Sequence, residues 1–389
     1  MASDAHTPSG RTANPAAATL LERLDAGELD LRDGSARLRL VVSGGEAVDV
    51  LLDARGGALA DPDGRPDALL SADEPTWERV ARDLRAGMAA FGAGRLEVRH
   101  NLHLGVNFLA ATSGSRDPAR LRFQTVQTKR GAISTLAAGS GPPVLMLHGL
   151  GGTKASFLPT VAALAPQGRR MIAADLPGFG DSDKPLAAAY DAKFFSRAVL
   201  ALMDAMGFER VDVIGHSMGG RVALEAVLHA PERFGRAVLM TPSLAWLRAR
   251  RWAPWLRLVR PELGLLQPTP RVAVESFVRR LIPGGRYAEA GVDEFLRSFL
   301  TPRGRAAFYA AARQIYMEDP ETFWTRLREL EVPSLFVWGA HDPLVPAGFE
   351  PHVREAVPAA SHVTLPCGHI PQLERPRELH EALSAFLIP

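Results

Sequence analysis

The chain has 389 residues, enough for two or three domains and a large buried core. Apolar residues at 47% and charged residues at 23% are the balance of an ordinary globular protein, which argues against a largely disordered or membrane-spanning chain. Net charge is +2, from 45 Lys and Arg against 43 Asp and Glu, so nothing points to a nucleic-acid partner, and Cys367, the lone cysteine, rules out an intrachain disulfide.

From the N-terminus, residues 1–19 are small and polar, without a basic start followed by an apolar run, and are expected to form a flexible tail with no secretion signal. No transmembrane run follows, and a single cysteine does not fit an oxidising compartment, so the expectation is a cytoplasmic protein. Residues 20–24 predict a short helix. Residues 36–42 and 47–52 alternate like half-buried strands around Ser43-Gly44-Gly45, and residues 68–72 read as a further strand. The stretch from Asp73 begins like a helix with Pro75 in its first turn and apolar positions at Trp77, Val80, Ala81 and Leu84. Strands grouped before helices predict a small α+β unit over residues 20–112.

Residues 68–73, the helix beginning at Trp77, residues 87–98 and the apolar segment 102–110 together resemble the sterol carrier protein type 2 domain. The resemblance implies a curved sheet and helices around an apolar tunnel for sterols, fatty acids or acyl thioesters, closed by the last amphipathic segment. The same residues would equally fill a small closed core. His100 and His103 stand at helical i, i+3 spacing, but without a carboxylate or cysteine in register they read as surface or pocket-lining residues rather than metal ligands.

Residues 113–120, rich in Gly, Ser and Pro, mark a linker, and a second domain is expected over 121–389. Residues 121–128 and 132–137 predict a hairpin, and 143–147 a buried strand running into His148-Gly149-Leu150-Gly151-Gly152. Such a glycine-rich strand end lets backbone N–H groups approach a ligand closely, and no Gly-Lys-Ser/Thr makes it a phosphate loop. A helix near 157–165, a strand at 170–174, a turn containing Gly178 and Gly180, and an amphipathic helix over 194–206 lead to a buried strand from Val211. That strand ends in Gly215-His216-Ser217-Met218-Gly219, a G-x-S-x-G turn ahead of a helix over 221–229. Glycine flanks Ser217 because a Cβ there would strike the neighbouring strand or helix as the serine is pushed into a strained conformation. Alternating strands and helices predict a largely parallel sheet covered on both faces, with sites at the strands' carboxyl ends.

After a strand at 236–240 the pattern turns helical, giving an expected cap over about 243–330 that shapes and dries a pocket. Its first stretch, residues 244–260, mixes three tryptophans with five arginines. One reading is a segment that touches a lipid surface; the favoured one is a cap helix whose apolar face covers the pocket, because Pro254 breaks a continuous membrane-facing stripe. Two later strands, near 332–338 and 361–365, end in His341-Asp342-Pro343 and Cys367-Gly368-His369. Ser, Asp and His thus follow in that order, each after its own strand.

Over residues 121–389 the chain resembles the α/β-hydrolase superfamily, whose fold is a mostly parallel sheet with helices on both faces. The resemblance implies Ser217 as nucleophile, His369 as general base and acid, Asp342 as the orienting acid, and Leu150 and Met218 as backbone donors of the oxyanion hole. A serine hydroxyl is a poor nucleophile at neutral pH, so an imidazole must take its proton while a buried carboxylate holds the imidazole's tautomer. His341 precedes the acid, His216 is expected to be swept away from the site by the turn, and Cys367 reads as a small apolar residue. No metal-ligand spacing appears, and no cofactor is expected. The expected function is a serine hydrolase that cleaves a lipid-like ester or thioester through an acyl-enzyme, with residues 20–112 presenting the apolar ligand. A carbon–carbon bond hydrolase or perhydrolase with the same triad, and a lipid-binding or transfer protein with little turnover, remain open.

Overall fold

Helix α1 spans Pro15–Glu22, and its cap, Asn14, accepts a hydrogen bond from the Ala16 amide at 2.9 Å. Regular structure therefore starts ahead of Leu20, inside the stretch that composition marks as a tail. The computed structural model describes residues 14–83, 86–114, 117, 119–243, 251, 253–256, 258, 260–266, 270–281, 288–317 and 319–388. Most of the Trp- and Arg-rich stretch, residues 244–250 with 252, 257 and 259, lies outside them. The chain divides into two compact units, Met1–Ser115 and Arg116–Pro389.

The first unit continues with β1 (Ser35–Val42), β2 (Ala47–Asp53), β3 (Gly56–Ala60), β4 (Ala68–Ala72), α2 (Glu74–Arg82), α3 (Ala86–Ala93), β5 (Leu96–Arg99) and α4 (Leu102–Ala111). Its strands form one mixed sheet in the order β3-β2-β1-β4-β5, in which β1 and β4 run parallel and the other neighbours antiparallel. Alternation places Leu38, Leu40, Val50, Leu52, Ala68 and Leu70 in the core. Trp77 closes over them, its indole N–H donating to the Val41 carbonyl at 2.8 Å. Asp49 is buried between Arg37 and Arg39. Burial alone would raise its pKa, but the two guanidinium groups outweigh burial and hold it at about 2. Every residue of α4 is buried, so this segment is not amphipathic as the resemblance implied. His103 is buried with it, its Nε2 3.6 Å from Asp30, and is therefore not a surface histidine.

In the second unit β6 (Arg122–Thr128) and β7 (Gly131–Ala138) form the expected hairpin. There follow β8 (Pro143–Leu147), α5 (Leu158–Leu164), β9 (Arg170–Ala174), α6 (Ala192–Ala205), β10 (Val211–His216), α7 (Met218–His229) and β11 (Phe234–Met240). Next come helices α8 (Ala253–Leu256), α9 (Pro261–Leu266), α10 (Arg271–Leu281), α11 (Ala288–Phe299), α12 (Pro302–Met317) and α13 (Pro320–Leu327), where a cap was expected. The chain closes with β12 (Ser334–Gly339), α14 (Glu350–Ala356), β13 (Ser361–Leu365), α15 (Pro371–Glu374) and α16 (Pro376–Leu387). The sheet order is β13-β12-β11-β10-β8-β9-β7-β6, parallel from β13 through to β9, with the β7/β6 hairpin antiparallel at one edge. All six residues of β10 and of β12 are buried, as continuous apolar runs in a two-sided parallel sheet require. Among the described residues no helix is long and apolar enough to cross a membrane.

Candidate active site

Strand β10 sits at the centre of the larger sheet, and its carboxyl end is where Ser217 turns the chain into α7. Ser217 has φ 53° and ψ −116°, a conformation that a side chain adopts only when its surroundings hold it there. Those surroundings are two close backbone approaches. A Cβ on Gly215 would stand 2.3 Å from the Gly219 carbonyl oxygen, and one on Gly219 would stand 2.1 Å from that of Leu147 in β8. Any side chain at either position forces strand and helix apart, which would relax the turn.

Two loops at the ends of β12 and β13 meet this turn. The Ser217 hydroxyl lies 2.9 Å from His369 Nε2, and His369 Nδ1 lies 2.7 Å from Asp342 Oδ2. The other carboxylate oxygen of Asp342 accepts from the amides of Leu344 and Val345 at 2.7 and 2.9 Å. A carboxylate so engaged has one oxygen left for the imidazole, which sets Nδ1 as the protonated nitrogen and leaves Nε2 to accept from serine. The three residues picked out by their order in the sequence are thus one hydrogen-bonded relay.

The peptide around His369 is fixed by groups to which the sequence pattern assigned no role in the site. Glu374 accepts from the amides on both sides, Gly368 at 2.7 Å and Ile370 at 2.8 Å. His216, expected to turn away, is instead buried beneath His369, its Nε2–H donating to the His369 carbonyl at 2.7 Å. Thr241 donates to the same carbonyl at 3.1 Å. Burial, assisted by the neighbouring His369, depresses the pKa of His216 to about 3, so its ring is a neutral donor at physiological pH. The strand's inward face carries the ring into the core, and the turn acts only on the residue after it.

Met218 opens α7, so its amide N–H has no acceptor within the helix. Leu150 follows β8 in the loop that faces the same strand ends. His148 braces that loop: its Nε2 accepts from the Leu176 amide at 2.9 Å and its Nδ1–H donates to the Gly149 carbonyl at 2.7 Å. Beyond it, Lys154 is buried between Asp175 at 2.6 Å and Asp181 at 3.1 Å. Burial would lower its pKa, but the two carboxylates outweigh that and raise it. Arg297 of α11 joins Asp181 at 2.6 Å and Glu294 at 3.0 Å, while Thr153 donates to Glu294 at 3.2 Å. One charged network thus ties the cap to the loop carrying Leu150.

A cavity of about 390 Å³ lies along α7 between α6 and α13, its wall including Met218, Ser243, Arg221, Glu225, Phe323 and Arg326; Ser217, Asp342, His369 and Leu150 are not among the described residues that line it. Arg221 and Arg326 share the buried Glu225 carboxylate at 3.0 and 2.7 Å, and both counter the burial that would otherwise raise its pKa. His341 is exposed, and Cys367 is buried, its thiol pushed up to about 12 by burial and by nearby carboxylates. Among the described residues no cluster of His, Cys, Asp or Glu is placed to hold a metal ion.

The sequence pattern of the alpha/beta hydrolase fold matches residues 142–376, more than half the chain. The chain belongs to the alpha/beta hydrolase fold family. Among similar proteins, a 2-hydroxy-6-oxo-6-phenylhexa-2,4-dienoate hydrolase of Comamonas testosteroni is 30% identical over 269 residues, 64% of this chain and 89% of that one. A 2-hydroxymuconate semialdehyde hydrolase of Pseudomonas putida is 30% identical over 259 residues, 64% of this chain and 88% of its own. Among solved structures, a membrane phospholipase A superposes with TM-score 0.53 at 26% identity, covering 69% of this chain and 86% of that one. The matches support a hydrolase.

Proposed function

We propose that this α/β-hydrolase is a serine hydrolase acting through an acyl-enzyme, with Ser217 as nucleophile, His369 as proton carrier and Asp342 as its orienting acid. The observation that carries this reading is the relay of 2.9 and 2.7 Å ending in a strained serine. The amides of Leu150 and Met218 are proposed to receive the oxyanion, supported by the free helix-start amide of Met218 and its position next to the nucleophile.

For the bond attacked, we propose a carbon–carbon bond beside a ketone, in a substrate of the 2-hydroxy-6-oxo-dienoate kind. The two relatives at 30% identity support it. The phenyl compound named for the first contains no ester, so its hydrolysis must break the bond between C5 and C6. In the keto tautomer of the substrate C5 already carries its extra proton; Ser217 Oγ adds to the C6 carbonyl as His369 takes its proton, and the C5–C6 bond breaks with its electron pair leaving as a conjugated dienolate, whose oxygen receives that proton from His369. Water, deprotonated by His369, then frees the acid from the serine.

Lipid-ester hydrolysis, the reading the sequence favoured, is the second proposal, and the phospholipase likeness supports it. In that reading the unit Met1–Ser115 would hold the apolar ligand, as the resemblance to sterol carriers implied; its mixed sheet with one apolar face supports this.

The test is turnover of 2-hydroxy-6-oxo-6-phenylhexa-2,4-dienoate and of p-nitrophenyl butyrate and palmitate by the wild type and by Ser217→Ala. The expected result is benzoate released from the dienoate, with loss of about 10³-fold or more in the variant. Turnover that survives in Ser217→Ala would remove the serine mechanism. Cleavage of palmitate alone, with a burst, would put the lipid-ester reading first.

A further inference from the structure

While α11 and α12 bury their apolar side chains, the described residues between 255 and 272 turn large ones to solvent. In α9 the residue packed inward is Gly264, whose carbonyl accepts from Arg305 Nε of α12 at 2.9 Å. A Cβ there would stand 2.6 Å from the Ala306 nitrogen, so α9 is pressed against α12 by its smallest residue. Its leucines point away: Leu266 is 79% exposed, and Leu263 and Leu265 are also open to solvent. Helix α10 repeats the pattern, with Val274 and Val278 buried against α11 and Val272 79% exposed. Ahead of them Trp255 is 70% and Leu258 60% exposed. Among the described residues of 255–272, six large apolar side chains thus face water, where a monomer normally scatters such residues singly.

The charge of the same segment names the partner. Residues 244–281 hold eight arginines against two glutamates, although the whole chain is only +2; Arg271 and Arg279 are engaged by Glu275 and by Asp293 and Glu289 of α11, and the basic excess lies in residues 244–260, with five arginines and no acidic residue. Arg251 and Arg260 flank the Trp255 helix and are exposed. Tryptophan and leucine outward, with arginine beside them, is the composition that settles at the boundary between acyl chains and anionic headgroups. Pro254, which argued against one continuous membrane-facing helix, is no obstacle to several short ones. We infer that α8, α9 and the start of α10 form a docking surface for a lipid surface bearing anionic headgroups, with Trp255, Leu258, Leu266 and Val272 entering the acyl boundary. This does not depend on which bond Ser217 attacks. It would place the hydrolase where apolar substrate is dissolved.

The full-length protein is sedimented with vesicles of phosphatidylcholine alone and of phosphatidylcholine mixed with phosphatidylserine. Binding to the mixed vesicles is expected to be at least about tenfold tighter and to weaken with salt. The triple variant Trp255→Ser, Leu266→Ser, Val272→Ser should bind at least about tenfold less while hydrolysing a soluble substrate as before. Arg251→Glu with Arg260→Glu should abolish the preference for phosphatidylserine. As a folding-independent check, tryptophan emission should shift to the blue on adding vesicles, and less so in Trp255→Phe. The inference fails if neither vesicle binds, if the triple variant binds unchanged, or if the blue shift is equal in Trp255→Phe. It fails too if the wild type is a dimer that the triple variant makes monomeric, since a second copy then covers the face.

Discussion

His216 is a histidine confined to the core, and that confinement makes it a source of acid sensitivity. Its folded pKa of about 3 lies below the ordinary value of 6.5, so between these limits the unfolded chain binds a proton that the folded one does not. Stability from this residue is complete above about pH 6.5 and falls as pH drops towards 3, by about 1.4 kcal/mol per pH unit within that window. His216→Gln keeps an N–H donor for the His369 carbonyl and removes the titration. Urea midpoints between pH 7 and 4.5 should therefore fall less steeply in the variant, and parallel curves would refute the assignment. The same residue marks the limit of reading at this scale. The order of Ser217, Asp342 and His369 was legible because each follows its own strand, β10, β12 and β13, and the order of strand ends is written along the chain. The contacts of His216 and Glu374 with the His369 peptide were not, because they depend on where separate loops meet, and proximity in sequence to Ser217 pointed the wrong way for His216.

At the scale of elements, the parallel strands were legible as continuous apolar runs, since burial on both faces leaves no polar alternation to confuse them. The cap was legible as helices but not in orientation. An amphipathic pattern says that a helix has two faces without saying which one is covered, so the outward leucines of α9 could be known only from its contact with α12. Nor did the sequence reveal the anchor of α11, because Lys154, Asp175, Asp181, Glu294 and Arg297 come from three separate stretches. Arg297→Met breaks this anchor and leaves Asp181 and Glu294 without their guanidinium. Loss of one partner from such a buried cluster costs about 3–5 kcal/mol. Arg297→Met should expose the cap to limited proteolysis and lower kcat more than it raises KM, because the loop bearing Leu150 loses its tie. Unchanged proteolysis and kcat would mean that the network does not hold the cap.

For the molecule as a whole, composition and the linker-like residues near 113–120 pointed to two parts, while the ligand of the first part stayed illegible because a packed core and a lined pocket use the same residues. Each unit has its own sheet and its own buried core. A chain beginning at Arg116 should therefore keep turnover of short soluble substrates and lose rate on long-chain ones if the first unit delivers apolar ligand. Equal rates on both, measured side by side with the full chain, would remove that role. The whole chain also contains a single sulfhydryl, on Cys367, buried and with its pKa pushed up to about 12. At neutral pH almost none of it is thiolate, the form that reacts with alkylating reagents. The native protein is therefore expected to be silent towards maleimides, and one cysteine introduced on the outer surface of α9 would carry a spectroscopic label without background.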